Sequence, residues 1–217
     1  ITALLTPEDE QATATIITRE NMILAGQPWV NALIQAYDPS VQITWLKNDG
    51  DAVSANETLY TLQGSARSLL TVERPALNFI QTLSAVATKT AEYLKYLEGT
   101  NTKLLDTRKT TPNNRIFEKY AVKIGGGTNH RYNLSDGVLI KDNHIGAAGS
   151  IAKAVAMARD YAPFVRKIEV EVETLEQLQE ALEAKADIIM LDNMDNATMK
   201  EAVAMIGDKA QSECSGN

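Results

Sequence analysis

The sequence predicts an α/β protein made of two parts with different secondary-structure patterns. Residues 1 to about 70 show the period-two alternation of polar and apolar residues that is typical of β-strands. An amphipathic helix is predicted over 75–98, and short apolar strands alternate with helices from residue 100 onward. We therefore expect a small sheet domain followed by repeated βα units.

The N-terminal part contains two clear strand signals, over 12–18 and 41–46. A run of turn residues at 48–51 separates the second strand from the next apolar segment. Alternating strands with a tight turn between them predict a small sheet domain.

The helix predicted over 75–98 marks the junction between the two parts. Its apolar side chains recur at three- and four-residue steps, Pro75 is expected near its first turn, and Gly99 follows its end. Arg74 would then precede the helix, where a cation opposes the positive end of the helix dipole. Two interpretations stay open: Arg74 binds a carboxylate or phosphate with the free amides of the first turn, or it is an exposed surface residue.

Strands and helices alternate in the C-terminal part. Strands are predicted over 103–106, 137–141, 167–172, 187–192 and 212–215, with helices near 115–123, 151–160, 175–184 and 196–206. Repeated βα units imply parallel strands, arranged either as an open doubly wound sheet or as a barrel. No Gly-x-Gly-x-x-Gly motif follows any of these strands, which disfavours dinucleotide binding.

The composition is that of a globular protein with an excess of acidic residues. The 217 residues include 21 Lys and Arg against 28 Asp and Glu, a net charge of −7. This balance argues against a protein that coats nucleic acid or anionic membranes. Cys214 is the one cysteine and no apolar stretch approaches the ~20 residues of a membrane span, so we expect a reducing, cytoplasmic location.

Residues 103–141 form a basic segment in this acidic chain. The segment holds eight cations and three acids, so it carries a net charge of +5. One interpretation is a solvated basic face. The other is a pocket for a small polyanion, because Arg108-Lys109 follows a predicted strand and His130-Arg131 follows the glycines at 125–127.

Polar side chains recur at the C-terminal ends of the predicted strands. They are Asp106 to Lys109, Lys141, Glu171 with Glu173, Asp192 and Ser215. A βα-barrel assembles its active site from these positions. Alternation over 169–173 puts glutamates on one face and valines on the other, and glutamates inside a barrel would need a cation or Mg²⁺ opposite them. A solvated edge strand is the alternative.

Six short motifs occur in order along the chain. They are ERPALNF (73–79), DTRKT (106–110), GGGTNHR (125–131), LIKDNH (139–144), EVE (169–171) and LDN (191–193). Together they resemble the quinolinate phosphoribosyltransferase family, the decarboxylating enzymes of NAD synthesis, and the likeness covers essentially the whole chain. The resemblance implies an N-terminal α/β sandwich domain over 1–76 and a C-terminal incomplete, TIM-like α/β barrel over 77–217. Since family chains extend beyond both ends of this sequence, we expect a chain that is truncated at both ends and lacks the last part of the barrel.

The resemblance implies a homodimer in which the sandwich domain of one subunit faces the barrel mouth of the other. The implied reaction transfers the phosphoribosyl group of phosphoribosyl pyrophosphate to quinolinate, with Mg²⁺ as cofactor. Pyrophosphate would leave first, and the pyridine nitrogen would then attack an oxocarbenium-like ribose. Loss of the 2-carboxylate as CO₂ would give nicotinate mononucleotide, with the pyridinium as electron sink.

The family's functional residues can be carried over position by position. Those implied to bind quinolinate are Arg74, reaching in from the neighbouring subunit, Arg108, His130, Arg131 and Lys141. Their forked guanidinium and ammonium donors suit two adjacent carboxylates. Lys109 is implied to contact the pyrophosphate, while Glu171 and Asp192 would hold the ribose hydroxyls and, indirectly, Mg²⁺. The implied catalytic residues are Lys109, Lys141, Glu171 and Asp192, and Ser215, Gly216 and Asn217 are implied to bind substrate.

One departure and two alternatives accompany this resemblance. Family members usually have glycine in the segment after Thr-Pro, where this chain has Pro112-Asn113-Asn114; asparagine tolerates left-handed backbone angles, so we expect the turn to persist. The first alternative is a paralogue associated with molybdenum transport, which would use a different acceptor. The second is a non-enzymatic protein whose basic pocket only binds an anion.

Overall fold

The computed structural model describes residues 1–216 and divides into two compact units. The first unit is Ile1–Tyr132, and the second begins at Asn133. The domain boundary predicted between residues 76 and 77 falls inside a helix of the first unit and stays a prediction. Asn217, which the resemblance assigns to substrate binding, lies outside the described residues.

Two antiparallel sheets lie in the N-terminal part of the first unit. Their strands are β1 (Gln11–Ile17), β2 (Met22–Ile23), β3 (Gln42–Trp45), β4 (Ala52–Val53) and β5 (Thr58–Ser65). Strand β5 lies between β1 and β3, and β2 pairs separately with β4. Two short 3-10 helices, Thr2–Leu5 and Lys95–Leu97, also belong to this unit. The two predicted strands are confirmed to within one or two residues.

Two helices, α1 (Gln27–Tyr37) and α2 (Ala66–Leu94), pack against this sheet. Helix α1 was not predicted, although Pro28 at its first turn is a typical helix-start residue. The shared core includes Val30 of α1, Leu59 and Leu62 of β5, and Val72 of α2. Burial of apolar side chains between a sheet and two helices makes this region an α/β sandwich.

Helix α2 begins nine residues earlier than the sequence analysis predicted. Its buried side chains Ala66, Leu69 and Val72 continue the three- and four-residue steps upstream of Pro75. Pro75 therefore lies inside the helix, where it removes one backbone donor, and the burial of the upstream residues stabilises the helix despite that loss. The proposed anion site at a helix start beside Arg74 is wrong, because Arg74 lies well inside α2 and is exposed.

Helix α3 (Arg115–Ile124) completes the first unit and packs against α2. The glycine run that follows it serves this packing. A Cβ atom on Gly125 would collide with the carbonyl oxygen of Ala87 and lie 2.8 Å from Cβ of Thr90 on α2. Gly126 adopts a φ of 93°, which glycine tolerates without strain. Asn113, before α3, has a φ of 64°, so the expected left-handed turn is confirmed.

The second unit consists of parallel strands connected by helices. Its strands are β6 (Val138–Ile140), β7 (Ile168–Val172), β8 (Ile188–Asp192) and β9 (Gln211–Ser215), and its helices are α4 (Asp142–Ala148), α5 (Ile151–Tyr161), α6 (Leu175–Glu183) and α7 (Asn196–Ile206). Neighbouring strands pair in parallel in chain order, as in a section of a barrel. The predicted elements are confirmed here, and α4 is an addition.

Strand β7 lies in the interior of this sheet, between β6 and β8. The solvated edge strand considered for 169–173 is therefore wrong. Val170 and Val172 are fully buried in the core that the helices cover, whereas Glu171 is half-buried and Glu173 is exposed. Across residues 1–216, no helix is both long and apolar enough to cross a membrane.

Candidate active site

In the first unit, a parallel β-bridge places two pairs of cationic residues at the same end of the two bridged segments. Leu105 and Thr128 form an isolated parallel bridge, supported by the hydrogen bond from Thr128 N to Leu104 O at 2.8 Å. This bridge replaces the strand predicted over 103–106. Because the two segments run in the same direction, Arg108-Lys109 follows one and His130-Arg131 follows the other at a common end.

Arg108 is held by its backbone, and its side chain keeps an unused donor. The Arg108 carbonyl accepts hydrogen bonds from Nη2 of Arg115 at 3.3 Å and from Thr110 N at 3.0 Å. Within residues 1–216, Nε of Arg108 is buried and has no hydrogen-bond partner. A buried donor without an acceptor costs about 1–3 kcal/mol, so a carboxylate at this position would be favourable. Lys109 is exposed on the same loop.

Asp106 fixes the loop that carries His130 and Arg131. Its Oδ1 accepts a hydrogen bond from His130 N at 2.8 Å, and its Oδ2 accepts one from Nδ2 of Asn129 at 2.7 Å. The same carboxylate forms an ion pair with Lys119 of α3, whose side chain is fully buried. Lys119 is one of the eight cations of the basic segment. In the structure its ammonium group is paired with Asp106 and is buried.

Helix α3 is tied to the sandwich by Tyr120. Its hydroxyl donates to Oδ2 of Asp49 at 2.6 Å, and Asp49 also accepts from Gly26 N and Gln27 N at the start of α1. Burial and the Asp49 carboxylate raise the pKa of Tyr120 well above its ordinary value. The neutral hydroxyl is therefore a stable donor, and it fixes the position of α3 beneath the two loops.

The second unit presents its polar side chains at the carboxyl ends of consecutive parallel strands. Lys141 directly follows β6, Glu171 lies near the end of β7, and the side chains of these two residues form an ion pair. Lys141 N donates a hydrogen bond to Nδ1 of His144 at 2.9 Å, and this contact caps the start of α4. A cation therefore lies opposite the Glu171 carboxylate, as the alternation in 169–173 predicted.

Asp192 and Ser215 end the neighbouring strands β8 and β9 and are paired in register. Asn193 donates from Nδ2 to Oδ2 of Asp192 at 2.8 Å, and Asn193 N donates to Ser215 O at 3.0 Å. Gly216 lies close to this turn, since a Cβ atom on it would be 3.3 Å from Oδ1 of Asn193. These contacts hold Asp192 and Ser215 together at the carboxyl edge of the sheet.

The predicted site residues thus form one group in each unit. Arg108, Lys109, His130 and Arg131 share one end of the first unit, and Lys141, Glu171, Asp192, Ser215 and Gly216 share the carboxyl edge of the second. Arg74 belongs to neither group and lies exposed on α2. Arg115 and Lys119 were not predicted as supporting residues, because no sequence signal distinguishes them from the other cations of the basic segment.

The chain matches two family models along its length. The quinolinate phosphoribosyl transferase N-terminal domain matches residues 1–84, and the C-terminal domain of the same family matches residues 86–217. A probable nicotinate-nucleotide pyrophosphorylase [carboxylating] of Synechocystis is 46% identical over 190 residues, which are 88% of this chain and 64% of that protein. A protein of the same description from Bacillus subtilis is 43% identical over 96% of this chain and 72% of its own length.

Solved structures agree with these sequence matches. The nicotinate-nucleotide pyrophosphorylase from Francisella tularensis superposes with a TM-score of 0.96 at 49% identity, over 100% of this chain and 76% of that one. NadC from Streptococcus pyogenes gives a TM-score of 0.94 at 46% identity, over 99% and 76% of the two chains. The expected truncation stays a prediction. The chain belongs to the quinolinate phosphoribosyl transferase family and has its two-domain α/β fold.

Proposed function

We propose that this chain transfers the phosphoribosyl group of phosphoribosyl pyrophosphate to quinolinate. Decarboxylation then yields nicotinate mononucleotide, pyrophosphate and CO₂. The structural observation that carries the proposal is the parallel bridge between Leu105 and Thr128, because it brings Arg108-Lys109 and His130-Arg131 to one end of the first unit. Family membership supplies the identity of the substrates.

The acceptor has two carboxylates on adjacent ring carbons. Arg108 and Arg131 offer guanidinium forks that can each bind one carboxylate through two parallel hydrogen bonds. The buried Nε of Arg108, which lacks a partner within the described chain, would gain an acceptor from such a ligand. His130 and Lys141 supply further positive or donor groups. We propose that these residues orient the pyridine nitrogen for attack.

We assign the remaining site residues to the ribosyl donor, phosphoribosyl pyrophosphate. We propose that Lys109 neutralises the departing pyrophosphate and that Glu171 and Asp192 hold the ribose hydroxyls and stabilise positive charge on the ribose. Ser215 and Gly216 would bind the donor beside them. No protein nucleophile is needed, because orientation and electrostatic stabilisation account for the rate increase. When the 2-carboxylate leaves as CO₂, the positive pyridinium nitrogen stabilises the electron pair left on ring carbon 2, and that carbon then takes up a proton from water.

Glu171 and Asp192 also suit the expected Mg²⁺. They present carboxylate oxygens at the ends of adjacent parallel strands, and Mg²⁺ in phosphate-binding sites uses few protein carboxylates and several waters. When bound, Mg²⁺ would neutralise charge on the pyrophosphate group.

We further propose a homodimer in which Arg74 acts on the substrate of the neighbouring subunit. Arg74 is exposed on α2, outside the two loops that carry Arg108-Lys109 and His130-Arg131. A guanidinium in that position is available to another copy of the chain. A cytoplasmic location remains part of the same proposal.

Calorimetric titration of quinolinate tests the acceptor assignment. Arg131→Ala should weaken quinolinate binding by ~1.5–3 kcal/mol, the value of a charge-assisted hydrogen bond. Lys123→Ala is the matched control, because Lys123 is an exposed cation of the same basic segment outside the two loops. Equal weakening by both variants would favour the solvated basic face instead. Absence of nicotinate mononucleotide in a steady-state assay would show that the acceptor is a different one.

A further inference from the structure

Helix α3 carries a fully buried ammonium group whose role is not explained by stability. The Lys119 side chain is 0% exposed and forms an ion pair with Asp106, which is 8% exposed. Lysine is almost never fully buried unless it is paired. A buried ion pair contributes little net stability, because the loss of hydration offsets the attraction between the charges. A positional role is the alternative explanation.

The Asp106–Lys119 pair joins the two loops that carry the predicted acceptor-binding residues. Asp106 begins the loop of Arg108 and also accepts the hydrogen bond from His130 N at 2.8 Å. Nζ of Lys119 lies 3.4 Å from His130 O, so both backbone polar groups of His130 contact the pair. One carboxylate and one ammonium group therefore connect the two loops, in addition to the bridge between Leu105 and Thr128.

Arg115 provides a second connection one turn earlier on the same helix face. Its Nη1 donates to Tyr132 O at 3.0 Å, and its Nη2 donates to Arg108 O at 3.3 Å. The Tyr132 ring lies with its centroid 5.1 Å from Nζ of Lys119, and its hydroxyl donates to Oδ1 of Asn129 at 3.0 Å. Asp106 and Arg108 of one loop, and His130 and Tyr132 of the other, thus all contact side chains of α3.

We propose that the Asp106–Lys119 pair and Arg115 are positioning residues that set acceptor specificity. They hold Arg108 and His130-Arg131 at the separation that matches two adjacent carboxylates. A dicarboxylate needs both loops at a fixed distance, whereas a pyridine monocarboxylate needs only one of them. This inference rests on the proposed function, since it assumes that quinolinate binds to these loops.

The double variant Asp106→Asn/Lys119→Met tests the inference without leaving a buried charge unpaired. Both replacements keep the approximate volume of the side chain, so we expect a folded protein. Affinity for quinolinate, measured by calorimetry on the full chain, should fall roughly tenfold or more as charge-assisted contacts lose their geometry. Affinity for pyridine-2-carboxylate and pyridine-3-carboxylate should stay within about twofold of wild type, because one loop suffices for each.

The matched control is Lys47→Met/Glu57→Gln, which removes an ion pair of 2.7 Å in the sandwich, away from both loops. It should leave all three affinities unchanged. A folded Asp106→Asn/Lys119→Met protein that still prefers quinolinate as wild type does would overturn the inference. If that variant does not fold, Arg115→Lys tests the inference instead, because lysine keeps the positive charge but cannot bridge Tyr132 O and Arg108 O. An unchanged preference of Arg115→Lys for quinolinate over the monocarboxylates would also overturn the inference. Wild-type protein that does not bind quinolinate would instead refute the proposed function, and the inference with it.

Discussion

At the scale of single residues, the cations of the basic segment differ in burial and in partner. Lys119 is buried against Asp106, and Lys141 is paired with Glu171, whereas Lys109 and Lys123 are exposed. Charge counting along the sequence treats all of them alike. Lys119 and Asp106 cancel each other within the count of the segment, so its net charge of +5 rests on the other seven cations and two acids.

Glu171 provides the first prediction. Glu171→Gln should reduce kcat by about 10²-fold or more, because the amide cannot stabilise positive charge on the ribose. Quinolinate should still bind, since glutamine can accept the hydrogen bond from Lys141. Steady-state kinetics and calorimetry on the same preparation separate these effects.

Glu173→Gln is the control for this prediction, because Glu173 follows the same strand but is exposed. It should retain wild-type turnover. Wild-type kcat in Glu171→Gln would contradict the assigned role and favour a protein that only binds an anion.

Residue-level prediction succeeded where a motif fixed the residue type and failed where burial decided the role. The Asn113 turn followed from the tolerance of asparagine for a positive φ, which is 64° in the structure. The buried Asp106–Lys119 pair could not be derived, because partners 13 residues apart meet only through the packing of α3. Lysine in a helix is exposed in most proteins, so sequence pattern favoured the wrong environment.

At the scale of elements, the parallel strands of the second unit were predictable, but the helices of the first unit were less so. Strands β6 to β9 are short apolar runs that end in polar residues, a pattern that few other structures produce. Helix α2 starts at Ala66 because apolar side chains upstream of Pro75 pack on the sheet, and proline misled the prediction of its start. Packing between elements thus overrode a local signal.

Substitution by alanine should have opposite effects on protein stability at two glycines. Gly125→Ala should destabilise the protein by about 1–3 kcal/mol, because the added Cβ collides with the backbone of α2 at Ala87. Gly146→Ala should stabilise it by ~0.5–1 kcal/mol, since Gly146 lies within α4 and its Cβ would meet nothing within 4 Å. Denaturant unfolding measures both changes. Equal effects of the two substitutions on stability would contradict the close packing of Gly125 against α2.

The stability contributed by the N-caps of α5 and α7 should depend differently on pH. Asp195 caps α7 by accepting from Thr198 N at 2.8 Å, and this hydrogen bond lowers the pKa of its carboxyl. The pKa of Asp195 is lower in the folded protein than in the unfolded chain. Its stabilising contribution is therefore complete above the ordinary pKa of aspartate and is lost as the pH falls through the folded-state pKa. The stability difference between wild type and Asp195→Asn should therefore shrink on acidification.

Ser150, which caps α5, is the non-titrating comparison. Ser150→Ala should cost about 1 kcal/mol at every pH, since its hydroxyl accepts from Lys153 N without ionising. Thermal unfolding across the acidic range measures both variants. A constant difference between wild type and Asp195→Asn would contradict the assigned ionised cap.

At the scale of the whole molecule, we predict that each active site contains functional residues from two subunits. Arg74→Ala and Glu171→Gln proteins should each be inactive alone. After mixing and reassociation, about a quarter of the sites should regain both residues, because half the dimers are hybrid and one of their two sites is intact. Activity assays of the mixture measure this recovery. No recovery would show that Arg74 acts within its own subunit or not at all.

The family and the two-part α/β fold could be predicted from the sequence, because six motifs keep their order and their residue types along the whole chain. The residues that support the site, such as Lys119 and Arg115, could not be predicted, because their role depends on how α3 packs. Motifs identify the groups that touch substrate, whereas the residues that position them follow from tertiary packing.

The most direct test of the central claim uses quinolinate labelled at its 2-carboxylate, together with phosphoribosyl pyrophosphate and Mg²⁺. We predict that labelled CO₂ and nicotinate mononucleotide form in equal amounts, and that Glu171→Gln forms both at rates lower by about 10²-fold or more while it still binds quinolinate. Binding of quinolinate by the wild-type chain without formation of labelled CO₂ or nucleotide would contradict the claim that the chain is a phosphoribosyl transferase.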